Sequence, residues 1–393
     1  MRILLLAPHP FFIERGTPID VLLVLRGLSQ RPATHVDLVT YQDGSDVELP
    51  QVTVHRSRDL RVTRNTKPGF SLKKVVADVF LSMKAWSLMR RHRYDLVHAG
   101  EESVFLALVF KHLYGVPYVY DLDSSIAQQL VESMPFLRPF SPVFDYLETV
   151  AIRQSVGCLP VCNALAELCE RKGARFIETL HDISQLKEPD SARTGWLLQE
   201  LGLAAGSRLV LYSGNMEGYQ GVELLIRGFA MSAERDRRLH LVIIGGTPKD
   251  IHHHRRLAEQ LGAVGRVHFL GPKPFDQLHL FLAEADIAAC PRTSGINTPM
   301  KIFPYLHSGT ALLATRLYSH TQILTDQHAL LVDPSPDGIA RGLLELAADE
   351  GLRRRLGAAG RELVERNHTF DAYRTRLHGA YDRLEREVLS QTA

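Results

Sequence analysis

Short apolar runs alternate with helix-spaced segments along this chain, and the alternation happens twice. In the first half the apolar runs are residues 2–7, 35–40, 52–55, 95–98, 116–120, 156–161 and 175–177. Helical spacing fills 18–30, 72–91, 103–114 and 164–171; in 18–30, Val21, Leu22, Leu25 and Leu28 share one face. From Arg208 the pattern restarts, with runs at 209–212, 239–244, 267–270, 287–290, 311–314 and 329–332 and helical segments at 221–233, 251–261, 275–283 and 299–307. Such alternation predicts an α/β protein of parallel sheets covered on both faces. A length of 393 residues suits two doubly wound, Rossmann-like domains. The polar stretch 181–207 divides them into 1–185 and 186–367, and two further helices are expected at 351–365 and 370–388. Open parallel sheets bind ligands beyond the carboxyl ends of their strands, so two facing sheets would form a cleft.

Two stretches echo each other across the halves. Gly16-Thr17-Pro18-Ile19 follows the first apolar run, and Asn297-Thr298-Pro299-Met300 follows another deep in the second half. Each reads as a helix start with Thr as N-cap and Pro as first helical residue. Unpaired amides and the positive dipole end favour an anion at such a start. Only the second carries cations, Lys301 in its first turn and Arg292 upstream, whereas the first has Arg15 beside it. The two starts therefore read as one anion site with two walls, Thr298 holding the charge and Gly16 closing over it.

The segment 285–309 is the richest in chemistry. A buried run ends in a loop with Gly295, Ile296, Asn297 and Thr298, aimed at by Arg292 and Lys301. Lys offers a compact charge and Arg a bidentate fork for phosphate oxygens. Departure of a diphosphate develops negative charge that such groups stabilise. Further glycine-rich loops follow other runs: Gly214 and Asn215 after 209–212, Gly245 and Gly246 after 239–244, and Gly271 with Lys273 after 267–270. No Walker loop or GxGxxG occurs, which argues against an ATPase and a standard dinucleotide enzyme.

The remaining composition excludes rather than assigns. Net charge is +2, giving no call for nucleic acid, and no apolar run approaches a membrane span. Met1-Arg2 leads into an apolar run without a signal-peptide pattern. Cys158, Cys162, Cys169 and Cys290 show no CxxC or zinc spacing, so buried thiols in the cytoplasm are expected. His252-His253-His254 lacks the carboxylate or Cys pattern that completes a metal site and reads as surface histidines. No metal and no cofactor are expected.

With the motifs RGTP, DLVHAGEE, PYVYDLDSS, YSGNMEGYQGVELLIRGF, VIIGG, VHFLGPKP and ADIAACPRTSGINTPMKIFPYLHSGTALLAT on the page, nearly the whole chain resembles the GT-B fold and, within it, family 4 of the retaining glycosyltransferases. The resemblance implies a nucleotide diphosphate sugar as donor substrate, bound mainly to the second domain, and an acceptor bound mainly to the first. It also implies that the segment 368–393 packs back on the first domain. Front-face attack, in which the leaving phosphate oxygen takes the acceptor proton, is the usual account of retention there and leaves the protein to orient and to stabilise charge. Carried onto this chain, Lys301 and Arg292 face the diphosphate, Gly16 approaches it from the opposing domain, and Asp123 holds a sugar hydroxyl or the acceptor. Asp121, Glu101 and Glu102 read acceptor hydroxyls or an amine.

The chain departs from the family pattern at several positions. The paired glutamates of the last block would fall near Ile296 and at Pro304, neither acidic; the usual ribose-holding group is thus missing. The family's Lys before the GVELL helix is Gln220, and the His after the PYVY run is matched by Asp123. Cationic duty falls on Lys301 and Arg292, with Lys273 in reserve.

Some residues keep two readings. Asp123 also suits an N-cap for a helix near 124–131, and Glu101 and Glu102 suit ordinary helix-start acidity. Arg56, Arg58, Arg61, Arg64, Lys67, Lys73, Lys74, Lys84, Arg90, Arg91 and Arg93, interleaved with Phe70, Leu72, Phe80 and Trp86, form either an anionic-lipid patch, with peripheral attachment at the inner membrane face, or a solvated helix face. The acceptor is a saccharide, lipid-linked or small molecule. Two other functions share this architecture: a nucleotide-sugar 2-epimerase and a non-catalytic sugar-nucleotide-binding homologue.

Overall fold

The structure is a computed structural model that describes residues 1–12, 16–59, 71–187 and 191–392. Chain contacts divide it into two units: Met1–Asp182 with Phe370–Ala393, and Ile183–Thr369. The expected sites Arg15, Arg61, Arg64, Lys67 and Phe70, and the side chain of Leu72, lie outside the described residues.

The first unit begins β1 (Arg2–Ala7), α1 (Gly16–Ser29), β2 (His35–Thr40), β3 (Val52–Arg56), α2 (Leu72–Arg91), β4 (Leu96–Gly100) and α3 (Ser103–Tyr114). It continues through β5 (Tyr118–Leu122), α4 (Ile126–Ser133), a 3-10 turn (Pro135–Phe140), α5 (Ser141–Gln154), β6 (Gly157–Pro160) and α6 (Asn163–Arg171). All six strands pair in parallel in the order β3-β2-β1-β4-β5-β6. β1, β4 and β5 are buried almost throughout, as expected for central strands covered on both faces. Right-handed crossovers from β3 to β4, β4 to β5 and β5 to β6 put α2, α3 and α5 on one face, and α1 on the other.

The second unit follows the same plan. Its elements are α7 (Trp196–Glu200), β7 (Arg208–Ser213), α8 (Val222–Arg235), β8 (Leu239–Ile244), α9 (Pro248–Gln260), β9 (Val267–Gly271), α10 (Leu278–Glu284), β10 (Ile287–Cys290) and α11 (Ile302–His307). Then come β11 (Ala311–Thr315), α12 (Tyr318–Thr321), β12 (Leu330–Val332), α13 (Pro336–Ala348) and α14 (Glu350–Asn367), before α15 (Phe370–Thr392) joins the first unit. The sheet order is β12-β11-β10-β7-β8-β9, again all parallel. Two apolar layers sandwich it, one under α8, α9 and α13 and the other under α10, α11 and α14.

The structure corrects several sequence expectations. Residues 175–177 form no strand; only one bridge, Cys158 to Ile177, extends the sheet there. α5, α7, α12 and α13 escaped the apolar pattern. Pro135, Pro139 and Pro142 break up the approach to α5, and α7 and α12 are too short to show a period. α1 starts at Gly16, one residue before Thr17, so Thr17 is not its cap. α11 starts at Ile302 behind Lys301, and Thr298 does not cap it. The turn before it is tight: Ile302 N–H donates to Pro299 O at 3.1 Å and Phe303 N–H to Met300 O at 3.3 Å. Those first amides are thus occupied, and Pro304 can offer none.

Candidate functional site

In the second unit the carboxyl end of β7 carries the site. Tyr212, fully buried, precedes Ser213 and Gly214. Gly214 has φ 145°, and a Cβ there would come within 2.5 Å of Lys301 Nζ; glycine is required for the ammonium to lie against the strand end. Lys301 Nζ donates to Tyr212 Oη at 3.0 Å and to Gln220 Oε1 at 3.1 Å, and sits 4.0 Å from the centre of the Tyr212 ring. Tyr212 in turn donates to Asn215 O at 2.5 Å, which fixes the loop that follows. Burial pushes the Lys301 amine down to about 8, with the neighbouring Cys290 thiol opposing and Arg292 adding to the shift. Its two hydrogen-bond partners are neutral oxygens. Among the described residues no carboxylate pairs with this cation, and an anionic ligand would supply the counter-charge.

Arg292 stands two residues past the end of β10. Its guanidinium donates to Asn297 O, lies 5.1 Å from the Tyr219 ring centre, and leaves Nε buried without a hydrogen bond. Thr315 Oγ1 donates to Arg292 O at 2.6 Å and anchors the loop from below. Gly295, with φ 101°, turns the chain beside the guanidinium, Ile296 O accepts from Gln322 Nε2 at 2.8 Å, and Thr298 Oγ1 is buried with no partner. Two unpaired polar atoms, Arg292 Nε and Thr298 Oγ1, therefore accompany an ammonium without a counter-charge. Gly245 and Gly246, at φ 108° and 75°, pack against Gly214 and Met216. The structure brings Lys301, Gly214, Asn215 and Gly245 together, with Arg292, Gly295, Asn297 and Thr298 on the adjoining loop. Lys273 is exposed on the loop after β9, with none of these contacts.

Sequence reasoning missed Tyr212 and Thr315, and read Gln220 only as the residue standing where the family has a Lys. Tyr212 looks like an ordinary strand residue, and only the pairing of β7 with β10 sets it under Lys301.

The first unit gathers carboxylates at the ends of β4 and β5. His98 Nε2 lies 2.9 Å from Asp121 Oδ2, and His98 Nδ1 lies 2.6 Å from Tyr381 Oη on α15. A neutral imidazole donating to Asp121 and accepting from Tyr381 satisfies both contacts. Thr17 Oγ1 donates to Glu101 Oε1 at 3.2 Å, and Lys74 Nζ lies 3.2 Å from Glu101 and 2.7 Å from Glu102. Glu101 adopts φ 48°, an uncommon left-handed conformation for a non-glycine residue. Burial, with Glu101 adding, raises the Glu102 carboxyl to about 7. Burial and then Asp121, Glu101 and Asp182 raise Asp123 strongly, against a hydrogen bond from Thr17. Asp123 does not cap α4; Ser125 does, accepting from Gln128 N–H at 3.3 Å. Gly16, at φ 42°, is the exposed first residue of α1.

Two other expectations change. His254 is buried, with Nδ1 2.8 Å from Asp250 O, so of the three consecutive histidines His252 and His253 are at the surface. Among the described residues no group of three or more His, Cys, Asp or Glu is arranged to hold a metal. The basic run of the first unit does not stand as one patch. Arg56 is spent on the carbonyls of Phe11, Asp43 and Ser45 and on Asp46, Lys74 is held by two glutamates, and Trp86 packs against Phe110 and Tyr114. The four cysteines are buried and free.

Two parallel six-stranded units, with cations and glycines at the strand ends of the second, define the GT-B class of glycosyltransferases. Residues 16–180 match the family described as "Glycosyl transferase 4-like domain", and residues 197–363 match "Glycosyl transferases group 1". The chain belongs to this glycosyltransferase family. It is 31% identical over 182 residues to a D-inositol 3-phosphate glycosyltransferase of Corynebacterium glutamicum, 44% of this chain and 42% of that one. It thus spans less than half the length of the first curated relatives it matches. A phosphatidyl-myo-inositol mannosyltransferase of Mycolicibacterium smegmatis is 24% identical over 93% of this chain and 90% of its own. Among solved structures, a sucrose-phosphate synthase of Thermosynechococcus elongatus superposes with TM-score 0.79 at 17% identity, covering 98% of this chain and 99% of that one. Anabaena HepE, solved with UDP, follows at 0.75, 15% identity, and 97% and 100% coverage. These likenesses show the fold.

Proposed function

We propose that the chain moves a hexosyl group from a nucleotide diphosphate sugar to an acceptor hydroxyl with retention of configuration. The bond between the anomeric carbon and the diphosphate oxygen breaks, the bond to the acceptor oxygen forms, and the acceptor proton passes to the departing phosphate oxygen. The observation that carries the reading is Lys301, an ammonium held by two neutral oxygens against the Gly214 turn. Charge growing on a leaving diphosphate would meet Lys301, Arg292 Nε and Thr298 Oγ1 as fixed donors. Anabaena HepE, solved with UDP and with UDP-glucose, supports a uridine-type donor, and the inositol glycosyltransferase and mannosyltransferase relatives support a polyol acceptor. The first unit would hold the acceptor through Asp121, Asp123, Glu101 and Glu102. No metal takes part in this scheme, and the free thiols suit a reducing cytoplasm.

The test is a thermal-shift and calorimetric panel of uridine and guanosine diphosphate sugars, followed by product analysis by NMR. Stabilisation by one donor and an α-configured product from an α-donor support the proposal, because ligand binding to the native state raises its melting temperature. Epimerised donor would instead indicate the 2-epimerase, and binding without turnover the non-catalytic homologue. No stabilisation by any donor would remove the assigned site.

A further inference from the structure

The first unit holds a small pocket whose polar wall is mainly acidic. Asp20 of α1, Asp121 near the end of β5, Asp123 just past it, Asp182 and Tyr373 of α15 line it, and the rest of the wall is apolar. Leu180 N–H donates to Pro160 O at 3.0 Å, which brings the segment carrying Asp182 up beside the end of β6. The pocket offers about 10 Å³, room for one water-sized group. No Lys or Arg stands among its described lining residues. Behind the wall, His98 lies 2.9 Å from Asp121, Tyr381 acts on Asp121 through its own burial nearby, and Glu101 acts on Asp123.

The side chains of this wall do not satisfy one another. Asp20 and Asp182 hydrogen-bond each other, which requires a proton between them. Asp20 Oδ1 is nevertheless buried with no hydrogen-bond partner, an acceptor that calls for a donor. Burial raises the carboxyls of Asp20, Asp123 and Asp182, and neighbouring carboxylates raise Asp20 and Asp123 further. What offsets such crowding must be a cation, since a neutral hydroxyl supplies a hydrogen bond and no charge. It must also be small: a guanidinium or a quaternary ammonium exceeds the space. Among the described residues no group of three or more His, Cys, Asp or Glu is arranged to hold a metal. A primary ammonium fits, because it is water-sized, charged and able to donate three hydrogen bonds.

We propose that this pocket takes a primary ammonium group of the acceptor, which makes the acceptor an amine-bearing polyol such as an aminosugar or aminocyclitol. That role as acceptor rests on the transfer reading, whereas binding of the amine needs no donor. An ammonium has no lone pair, so it anchors the molecule, and a hydroxyl elsewhere on the same molecule attacks the donor. Asp20 and Asp182 join Asp121 and Asp123 as residues that select the acceptor.

The experiment titrates the full chain, without donor, with methylammonium chloride, tetramethylammonium chloride, glucosamine and glucose, read by calorimetry and thermal shift. Methylammonium and glucosamine are expected to stabilise the fold, and tetramethylammonium and glucose at matched ionic strength are not. Glucosamine should bind about tenfold or more tightly than glucose, as charge-assisted hydrogen bonds require. Methylammonium affinity should rise from about pH 5 to 8, because the raised carboxyls give up protons over that range and a cation binds their ionised form. Asp20→Asn should abolish the preference for glucosamine, and Asp182→Asn serves if the first variant melts early. Equal binding of glucose and glucosamine overturns the proposal, as does stabilisation by tetramethylammonium or by calcium in place of methylammonium. An undiminished preference in both variants overturns it too. A chain that binds a nucleotide sugar but not methylammonium loses this inference alone. One that binds methylammonium but no nucleotide sugar keeps the amine pocket and loses the transfer reading.

Discussion

Lys301 and Tyr212 meet in two ways at once: the ammonium donates to the Tyr212 hydroxyl at 3.0 Å and lies 4.0 Å from the centre of its ring. The aromatic face and hydroxyl together replace part of the hydration that burial removes, without neutralising the charge. That leaves the cation strong toward an incoming anion.

Lys301→Met should cost donor affinity by roughly tenfold to a hundredfold, the range for a charge-assisted hydrogen bond. It should also raise stability by about 1–2 kcal/mol, because a half-buried cation without a counter-ion is removed. Calorimetric titration with the donor and a thermal melt, run on one preparation, read both effects.

The pH dependence has a definite sign. Folding lowers the Lys301 value from 10.5 to about 8, so the protonated side chain costs stability fully below pH 8. That cost fades as the pH climbs from 8 toward 10.5, and the melting-point difference between wild type and Lys301→Met should shrink over the same window. Donor affinity should fall as pH rises past 8, since the ammonium is lost. In Lys301→Arg this limb should vanish, because guanidinium stays charged.

Tyr212→Phe keeps the ring and removes the hydroxyl. The falling limb of donor binding should move to lower pH, and Asn215 O loses the hydrogen bond that fixes its loop. A donor-binding profile from pH 6 to 9 would detect the move; a profile identical to wild type would show that the hydroxyl does not support the ammonium.

Gln220 Oε1 lies 3.1 Å from Lys301 Nζ, so a cation at either position would occupy nearly the same point. Exchanging them, Gln220→Lys with Lys301→Gln, should restore most of the donor affinity that Lys301→Gln alone removes. Residues in direct contact couple in this way, and a double-mutant cycle measures it.

In the first unit, Tyr381→Phe would leave His98 Nδ1 buried without its partner. A loss of about 1–3 kcal/mol of stability is expected, with donor affinity unchanged, because Tyr381 and the donor-binding residues belong to different units.

The fold was largely legible. α2, α3, β2, β8 and β10 fall on the residues that the apolar pattern marks, since a strand covered on both faces must be continuously apolar and a covering helix must repeat every 3.6 residues. The ends were less so. Thr17-Pro18 and Thr298-Pro299 carry the local signature of a capped helix start, yet α1 begins earlier and α11 later. Around Pro299 and Pro304 a tight turn takes up the amides of Ile302 and Phe303, and Lys301 stands just ahead of the helix as its N-cap residue.

Sequence alone determined the two parallel sheets, the glycine turns at their carboxyl ends and the presence of Arg292 and Lys301 beside one of them. These follow from periodicity and from what each residue type can adopt locally. Tertiary structure decided what those cations face. Lys301 acquires its depressed basicity only from burial in the folded second unit, with Arg292 adding and Cys290 opposing, where Tyr212 and Gln220 lie against the ammonium. Likewise Lys74 and Arg56, indistinguishable in sequence from their exposed neighbours, are consumed by carboxylates and carbonyls that only folding brings near. Burial and partner charge are properties of the assembled chain, because both depend on residues far apart in sequence.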